Sequence, residues 1–390
     1  MRTVRVKYVV RNVVEKSDGT PQPFLGLEDL ESRTGRLLTE ELPNKAAEDS
    51  IRHAPGDVLF SKLRPYLAKS YLPLSPGTGT GELLVMRPDP EIDSRFLMYV
   101  TLSAPWVEWA NTTAYGTKMP RTSWELVGNY RLGLPPQDEQ RRISDFLEVE
   151  TRRIDHLLDR LRRQRQLVIE REETSIPLTV AGALLNAPPV RTGVPWMPLM
   201  HPDAEVLPLL RVLQLQRGVD LSEGQRIDGS VPVITTAGLS GWHNLAIAQG
   251  PGVVIRRYGS RGNVHWVDND YWPHNTTLYV KNFNGNNRRY CYHLLRALPF
   301  EMEQAKAAIP GVNRNDLHRL RVAVLPTALQ GRVSRSLDHD MATFQATRER
   351  IEKLGRLLAE RRQALITAAV TGQFDVTTAD GRNVTEGVSG

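Results

Sequence analysis

The stretch RRISDFLEVETRRIDHLLDRLRRQRQLVIEREETSIPLTVAG, residues 141–182, decides the fold because its pattern occurs twice in the chain. It returns 190 residues later as GRVSRSLDHDMATFQATRERIEKLGRLLAERRQALITAAVTG, residues 331–372, and no gap is needed to align the two. The matched pairs are Arg142/Arg332, Ile143/Val333, Ser144/Ser334, Leu147/Leu337, Leu161/Ile351, Leu167/Leu357, Val168/Leu358, Glu170/Glu360, Arg171/Arg361, Ile176/Ile366 and Gly182/Gly372. A fixed offset over roughly 40 residues indicates two copies of one structural element.

Each copy has the apolar spacing of a long helix. Apolar residues such as Ile143 and Leu147 recur at steps of three, four or seven, and charged residues occupy the other faces. In the first copy the helix is expected to begin after Pro136 and to end at Gly182, since proline suits a helix start and glycine a helix end. We expect Pro177 to kink the first helix or to end it early.

The apolar seam of each helix needs a partner. A helix of about 38 residues would be roughly 55 Å long, and alone it would expose its whole apolar stripe. The other copy is the nearest candidate, so the sequence predicts an antiparallel pair of long helices. The alternative is that each helix packs on an ordinary globular body.

Two blocks, 1–133 and 200–324, differ in texture from the helices, with short β-rich runs broken by Gly, Pro and Asn. They predict an α+β fold, in which two β-containing domains are separated by two long antiparallel coiled-coil helices with pseudo-two-fold internal symmetry. The predicted divisions are a first domain at 1–133, a central helix at 134–182, a Pro-rich linker at 183–199, a second domain at 200–324, a C-terminal helix at 325–372 and a polar tail at 373–390.

Composition excludes several classes of protein. The 390 residues hold 50 Lys and Arg against 44 Asp and Glu, so the net charge is +6, which hints at an anionic partner. The single cysteine, Cys291, excludes an internal disulfide framework and a cysteine-based zinc cluster, and we expect it to be buried in a helix. No apolar run approaches 18 residues and no signal peptide opens the chain, so we expect a cytoplasmic protein without a membrane.

Motifs for catalysis are missing from the sequence. Pro135-Pro136 lies between Leu134 and Gln137, so the (Asn/Asp)-Pro-Pro-aromatic motif of amino-methyltransferases is absent, and so is a Walker loop. The glycine-rich run at 77–81 resembles a phosphate-binding loop, but a hairpin or bulge is favoured. No metal-ligand spacing links the histidines, and two aspartates lack an evident carboxylate partner for acid–base work; these residues are His265, His274, His293, Asp57 and Asp268. The sequence therefore predicts no catalytic residue, no metal and no cofactor in this chain.

Clusters of basic, aromatic and amide side chains are the better candidates for a site. Arg and Lys contact phosphates, Arg pairs with guanine and Asn with adenine, although charge on a strand edge also serves solubility alone. The candidate DNA-binding residues are Lys62, Arg64, Tyr66 and Lys69; Tyr115, Lys118 and Arg121; Arg256, Arg257, Tyr258 and Arg261; His274 and Asn275; and Asn313 and Arg314.

Motifs spread along nearly the whole chain resemble those of the DNA-specificity subunits of type I restriction–modification systems. They are GDVLFSKLRPY at 56–66, GTKMPR at 116–121, LPP with EQRRI at 134–143, RYGS with GNV at 257–264, PHNTTLY at 273–279, PGVNR at 310–314 and RRQALIT at 361–367. The resemblance implies two target-recognition domains, each reading one half of a bipartite site in double-stranded DNA. It also implies assembly with methyltransferase subunits, which use S-adenosylmethionine, and with restriction subunits, which use ATP and Mg²⁺.

The repeat adds a prediction about assembly. Two equivalent halves offer two equivalent docking places, so two methyltransferase subunits for each chain are expected. Because the two blocks have diverged in sequence, the two half-sites need not match. Two other interpretations remain: a recognition module from a fused restriction–methylation enzyme, which would need catalytic motifs, and a coiled-coil adaptor without a DNA role, which would be indifferent to duplex DNA and to salt.

Overall fold

The structure is a computed structural model that describes residues 2–45, 49–256, 264–300 and 313–376. The chain forms two compact units: unit 1 comprises Met1–Arg162 and Glu352–Gly390, and unit 2 comprises Arg163–Ile351. The α-helices of the described residues are, in chain order, α1 Ser94–Leu102, α2 Ala104–Thr112, α3 Trp124–Val127, α4 Gln137–Val180, α5 Leu209–Val212, α6 Arg288–Arg296, α7 Arg314–Arg319 and α8 Thr327–Thr371. The short 3-10 helices are Val6–Tyr8, Leu27–Asp29, Pro65–Leu67 and Glu223–Gln225.

Unit 1 is built on two four-stranded sheets. Its strands are β1 Arg2–Arg5, β2 Val10–Val13, β3 Gln22–Leu25, β4 Asn44–Lys45, β5 Ile51–His53, β6 Val58–Ser61, β7 Ser70–Tyr71, β8 Gly77–Gly79, β9 Leu83–Pro88 and β10 Arg131–Leu134. One sheet has the order β2-β9-β6-β7 and the other β4-β3-β8-β5, while β1 pairs with β10. All pairs are antiparallel except β3 with β8, which run parallel.

Unit 2 repeats most of that topology. Its strands are β11 Val190–Val194, β12 Met197–Met200, β13 Glu205–Pro208, β14 Gln214–Arg217, β15 Val231–Thr235, β16 Gly238–His243, β17 Gly252–Arg256, β18 Val264–Val267, β19 Trp272–Pro273, β20 Thr277–Asn282 and β21 Arg321–Val324. The order β14-β20-β17-β18 matches the first sheet of unit 1, and β13 pairs with β21 as β1 does with β10. The smaller sheet, β16-β15-β19, again holds the parallel pair, here β15 with β19. The sequence-predicted repeat of the whole block is thus visible in strand order.

Aromatic and aliphatic packing closes the core of unit 1. The buried Trp106 of α2 meets Phe60 of β6 edge-on, with ring centroids 5.7 Å apart, and Tyr130 at 5.3 Å. Ile143 of α4 and Ile366 of α8 belong to the same apolar cluster, so both long helices pack on the sheets of unit 1. Each such fully buried side chain contributes roughly 1.5–3 kcal/mol of hydrophobic stabilisation.

Helix α6 packs in the core of unit 2. Its Tyr290 is fully buried; the hydroxyl donates to the carbonyl of Val180, 2.8 Å away, and accepts from the amide of Leu325 at 3.1 Å. The end of α4 and the chain entering α8 are thereby attached to one side chain. Cys291 is buried in the same helix, as predicted, and burial raises the pKa of its thiol to about 12.

The long helices confirm the predicted antiparallel pair within each unit. In unit 1, Asp155 of α4 binds Arg362 of α8, and Phe146, nearer the start of α4, lies against Phe374 just beyond the end of α8. In unit 2, the later residues of α4 cluster with Val333, near the start of α8. The predicted apolar seam is not buried along its whole length, since Leu157 and Leu354 are 38% and 45% exposed. A heptad stripe drifts about 20° per repeat around an α-helix, so its residues do not all face the partner helix.

A buried glutamine near the start of each long helix makes the same contacts in both units. Gln140 accepts from the amide of Asp93, 2.8 Å away, and donates to the carbonyl of Pro135 at 2.9 Å. Gln330 accepts from the amide of Asn287 at 2.8 Å and donates to the carbonyl of Leu325 at 2.8 Å. Asp93 and Asn287 are the N-caps of α1 and α6. This glutamine clasp therefore ties the start of each long helix to the start of a short one.

The expectation that Pro177 ends α4 early is wrong. The helix continues through Pro177 to Val180, because a proline this close to the end leaves little helix to disrupt. The chain then turns at Gly182, whose φ is +74°. The amides of Gly182 and Ala183 donate to the carbonyls of Thr179 and Leu178, which is the double hydrogen bond of a Schellman motif.

Two other expectations need correction. The predicted linker at 183–199 contains the β11–β12 hairpin, whose Val194 and Met197 are buried in the core of unit 2, because their apolar side chains cover the end of α4. The predicted hairpin or bulge at 77–81 is instead the buried strand β8, Gly77–Gly79, followed by a turn that leads into β9. A Cβ atom on Gly77 would lie 2.7 Å from the carbonyl oxygen of Pro23, so close strand packing explains this glycine.

Candidate nucleic-acid interface

Two sequence clusters of unit 1 meet on one surface. The loop after β6 carries Lys62 and Arg64, and the loop before α3 carries Lys118. The amide of Arg64 donates to the carbonyl of Pro120 at 2.7 Å, and the amide of Thr122 donates to the carbonyl of Lys62 at 2.9 Å. We call the joined surface, residues 62–66 and 115–121, the loop surface of unit 1.

The loop surface presents free cations and aromatic rings. Arg64 and Lys118 are exposed, and neither side chain makes a hydrogen bond or ion pair within the described parts of the chain. Tyr66 and Tyr115 are 40% and 60% exposed. Reciprocal backbone bonds between Tyr115 and Arg121, at 3.0 and 2.9 Å, hold the base of the loop that presents Lys118. Such a surface can bind phosphates through its cations and stack rings or bases on its aromatics.

Other predicted residues of unit 1 are occupied by partners. The ammonium of Lys69 donates to the carbonyl of Leu27 at 2.5 Å, so it ties two loops together. Arg121 forms an ion pair with Glu82. Partial burial lowers the pKa of Lys62, an effect that Glu82 opposes. Their contacts make Lys69 and Arg121 supports of the surface; a role in binding DNA stays a prediction for all three residues.

Only part of the predicted cluster of unit 2 falls on described residues. Arg256 ends β17, and its Nε donates to the His265 imidazole at 2.8 Å. Burial and the Arg256 charge both lower the pKa of His265, so the ring accepts this bond in its neutral form. Arg257, Tyr258 and Arg261 lie outside the described residues.

His274 and Asn275 form a hydrogen-bonded loop. Asn275 donates to Asp220 at 2.5 Å, and His274 Nδ1 lies 3.1 Å from the hydroxyl of Thr276. Arg217, which no sequence motif singles out, donates to the carbonyl of Asn275 at 3.1 Å. No cluster of His, Cys, Asp or Glu among the described residues could hold a metal ion.

The last predicted pair begins α7. Asn313 is the N-cap of this helix and accepts from the amide of Asn315 at 2.9 Å. Arg314 is exposed beside it. Asp57, noted in the sequence for lacking a carboxylate partner, forms a two-point ion pair with Arg87 at 2.7 and 2.8 Å, which is a structural role.

Buried ion pairs between α4 and α8 were missed by sequence reasoning. In unit 1, Arg362 is 6% exposed and its Nε lies 2.9 Å from Asp155. In unit 2, Glu172 is 13% exposed and binds both Arg296, at 2.9 Å, and Arg348. A signal was present, since Glu172 and Arg362 are equivalent positions of the repeat with opposite charges.

Comparison with known proteins identifies the fold. No protein-family profile matches the chain. Over 121 residues, 30% of the chain, it is 25% identical to the type I restriction enzyme EcoDI specificity subunit of Escherichia coli, and the match spans 27% of that protein's length. A solved chain from work on complex assembly and conformational transition of the type I R-M system aligns with a TM-score of 0.71 and 19% identity, over 96% of this chain and 98% of that one. The chain has the fold of a type I specificity subunit.

A second solved structure agrees. The HsdS subunit from Thermoanaerobacter tengcongensis aligns with a TM-score of 0.51 and 19% identity, over 96% of this chain and 97% of that one. The α+β class and the resemblance drawn from the sequence motifs are thus confirmed for this specificity-subunit fold. Among the described residues, no helix is both long and apolar enough to cross a membrane.

Proposed function

We propose that the chain is the non-catalytic DNA-specificity subunit of a type I restriction–modification complex. Each block, 1–133 and 200–324, is a target-recognition domain that reads one half of a bipartite, asymmetric site in double-stranded DNA. The long helices set the spacing between the half-sites and dock two methyltransferase subunits. S-adenosylmethionine belongs to those partners, and ATP and Mg²⁺ to the restriction subunits, so this chain holds no cofactor.

The proposal rests on a repeated unit with the fold of a specificity subunit, on which unit 1 presents a basic and aromatic surface. The strand order β2-β9-β6-β7 and the pair β1–β10 of unit 1 recur in unit 2 as β14-β20-β17-β18 and β13–β21. The loop surface of unit 1 offers Arg64 and Lys118 for phosphates or guanine, and Tyr66 and Tyr115 for stacking. In unit 2, the counterpart by chain order is the end of β17 and the sequence that follows it, which contains the predicted cluster Arg256, Arg257, Tyr258 and Arg261. Divergent loops on a repeated framework suit two different half-sites.

Reconstitution tests the reaction. The purified chain is mixed with a type I methyltransferase subunit, S-adenosylmethionine and genomic DNA, and the methylated adenines are mapped. We expect methylation at one bipartite sequence, only when both proteins are present, and no methyl transfer or cleavage by the chain alone. Methyl transfer by the isolated chain, or an identical pattern without it, would refute the assignment.

Charge reversal tests the surface. Arg64→Glu combined with Lys118→Glu should weaken binding to DNA that carries the half-site of unit 1. If these side chains neutralise phosphates, the slope of log affinity against log salt should flatten by roughly 1 for each phosphate that is no longer neutralised. If one of them reads a base, discrimination at that base pair should relax by about 1–3 kcal/mol.

A matched control is the pair Arg5→Glu and Arg131→Glu, which face each other on the exposed β1–β10 pair and change the net charge equally. This control should leave the methylated sequence and the half-site preference as they are. Unchanged DNA affinity of the Arg64/Lys118 variant at every salt concentration would remove the loop surface from the proposed interface.

A further inference from the structure

The internal repeat reverses its charge at one buried position. The apolar residues near the ends of the two long helices are matched, as Ile176 with Ile366 and Val180 with Val370. Between the matched Arg171/Arg361 and Ile176/Ile366 pairs, however, Glu172 corresponds to Arg362. Both side chains are largely buried against the other long helix, where charges interact more strongly than in water. This position therefore differs between two surfaces that are otherwise alike.

In unit 1, the pocket that receives Arg362 consists of acceptors. Asp155 binds the guanidinium, and the carbonyls of Arg33 and Thr34 accept from it at 2.8 Å each. The neighbouring charges Arg36 and Arg162 pair with Glu31 and Asp159, and Arg36 also lies 3.9 Å from Asp155. Three carboxylates thus face two guanidiniums before Arg362 is counted, and Arg362 brings the region to neutrality.

In unit 2, the corresponding pocket is basic. Glu172 binds Arg296 of α6 and Arg348 of α8. The neighbouring Arg289 pairs with Asp338 at 2.7 Å, and that carboxylate also binds His293. Three guanidiniums therefore face Glu172 and Asp338, and Glu173 also lines this cleft. A cation in the place of Glu172 would remove the carboxylate that binds Arg296 and Arg348 and would lie beside both guanidiniums.

Because positions 172 and 362 are equivalent in the repeat, the result of pairing two copies of the same helix can be stated. If two copies of α4 paired in the observed antiparallel geometry, Glu172 would take the place of Arg362, beside Asp155 and two carbonyls. If two copies of α8 paired, Arg362 would lie against Arg296 and Arg348. The apolar seam is too similar between the copies to prevent either pairing. We propose that the charges at 172 and 362 make α4 and α8 select each other and reject a copy of the same helix from a second chain.

Hydrogen bonds at the end of α8 favour the same pairing. The amide of Ala104 donates to the hydroxyl of Thr367 at 3.1 Å, and the side chain of Gln363 donates to the carbonyl of Leu102 at 2.8 Å. The equivalent of Thr367 in α4 is Pro177, which has no hydroxyl. A copy of α4 in the place of α8 would therefore leave the amide of Ala104, at the start of α2, without that acceptor.

The intact chain gives the first test. Glu172→Arg should lower the midpoint of thermal unfolding by roughly 5–10 °C, because it places a third cation between Arg296 and Arg348. Adding Arg296→Glu and Arg348→Glu should restore most of the loss, which a role in packing alone would not predict. Arg356→Glu, an exposed change on α8, is the control and should shift the midpoint little. A stable Glu172→Arg chain, or a triple variant without recovery, would overturn the proposal.

A cleavable chain tests the selection itself. A protease site inserted between the exposed Pro188 and Pro189 allows the folded chain to be cut between α4 and α8. The cut chain is unfolded, refolded and weighed by native mass spectrometry, with the uncut chain treated in parallel. We expect pairs of unlike halves, with like pairs below about one in a hundred for the wild type.

Neutral variants extend this test without introducing a repelling charge. Glu172→Gln should raise pairs of two first halves at least about tenfold, and Arg362→Gln should do the same for two second halves. Like and unlike pairs at similar levels in the wild type would show that the charges do not select the partner. A refolding failure of the cut chain would leave the charge-swap recovery in the intact chain to decide.

Discussion

At the scale of single residues, His293 links the stability of unit 2 to pH. The side chain is fully buried in α6, and its Nε2 lies 2.8 Å from Asp338 of α8. Its Nδ1 is buried without a partner among the described residues. Burial lowers the pKa of His293 to about 4, although Asp338 favours the charged form. A neutral ring that donates from Nε2 to Asp338 satisfies this geometry.

We predict that His293 destabilises the folded chain as the pH falls. An unfolded histidine binds a proton below about pH 6.5, whereas the folded one resists protonation until about pH 4, so the free energy of unfolding falls across this window. The slope for one proton is about 1.4 kcal/mol per pH unit, or roughly 2 kcal/mol between pH 6.5 and 5.

Urea unfolding at pH 7.5 and pH 5 checks this prediction. His293→Gln keeps an amide donor for Asp338 but cannot titrate, so its stability should fall less than that of the wild type by the amount stated. His339→Gln, an exposed change on the same long helix as Asp338, should behave as the wild type does. Equal losses for the wild type and His293→Gln would mean that this histidine does not titrate on unfolding.

Sequence reasoning identified individual cations but not their surroundings. Lys69 and Arg64 are alike in the sequence, yet one is tied to the carbonyl of Leu27 and the other is exposed. The backbone bond from Arg64 to Pro120, which creates the loop surface, joins residues distant in sequence. The Asp155–Arg362 pair spans 207 residues. Such contacts depend on strand order and helix pairing, which local composition does not specify.

At the scale of elements, the glutamine clasp fixes where each long helix starts. Gln140 and Gln330 are fully buried, and Ser144 and Ser334, one turn later, donate to their backbone carbonyls at 2.9 and 2.7 Å. A buried side-chain amide with both ends bonded to backbone groups orients two helix starts at once.

We predict that Gln140→Ala and Gln330→Ala each cost about 2–4 kcal/mol, since each leaves a buried amide and carbonyl without a partner. Hydrogen exchange should show the loss first in the unit that contains the substitution. Because the two clasps share no contact, the effects should add in the double variant. Arg141→Ala, an exposed neighbour, serves as the control. Protection lost equally in both units by one substitution would contradict independent clasps.

Element types were predictable where periodicity was long, and less so where packing decided. The seam from Ile143 onward predicted α4 to within a few residues, because a 3.6-residue repeat over many turns has few alternatives. Gly77–Gly79 is a buried strand although glycine disfavours strands; the space beside Pro23 admits no Cβ. The β11–β12 hairpin forms in a proline-rich segment because Val194 and Met197 find an apolar surface, which the local sequence does not reveal.

At the scale of the whole molecule, the two copies of the repeat share a framework and differ in their exposed loops and in two buried charges. Strand order, the parallel pair in the small sheet and the glutamine clasp recur in both units. The exposed loops and the buried charges at 172 and 362 differ between them. Duplication followed by such divergence suits a protein that reads two different half-sites on one backbone plan, as proposed.

If the long helices set the spacing between the half-sites, lengthening both should lengthen the gap. Helices α4 and α8 have 44 and 45 residues, and seven residues inserted in the middle of both, after Arg163 and after Leu354, add about 10 Å to each at 1.5 Å per residue. A heptad keeps the apolar seam nearly in register. Since base pairs are spaced by about 3.4 Å, the preferred gap between half-sites should lengthen by about three base pairs.

The methylated sequence of the reconstituted complex reports the gap directly, on a DNA library in which only the number of unread base pairs varies. Both half-site sequences should stay the same, because the inserts leave the recognition loops intact. A four-residue insert in both helices is the control. Four residues are slightly more than one helical turn and rotate the apolar seam further out of register than seven residues do, so this insert should disturb helix pairing more. If the heptad variant folds, binds methyltransferase subunits and still methylates the original spacing, the helices do not set the distance, and that distance must instead be fixed by the partners.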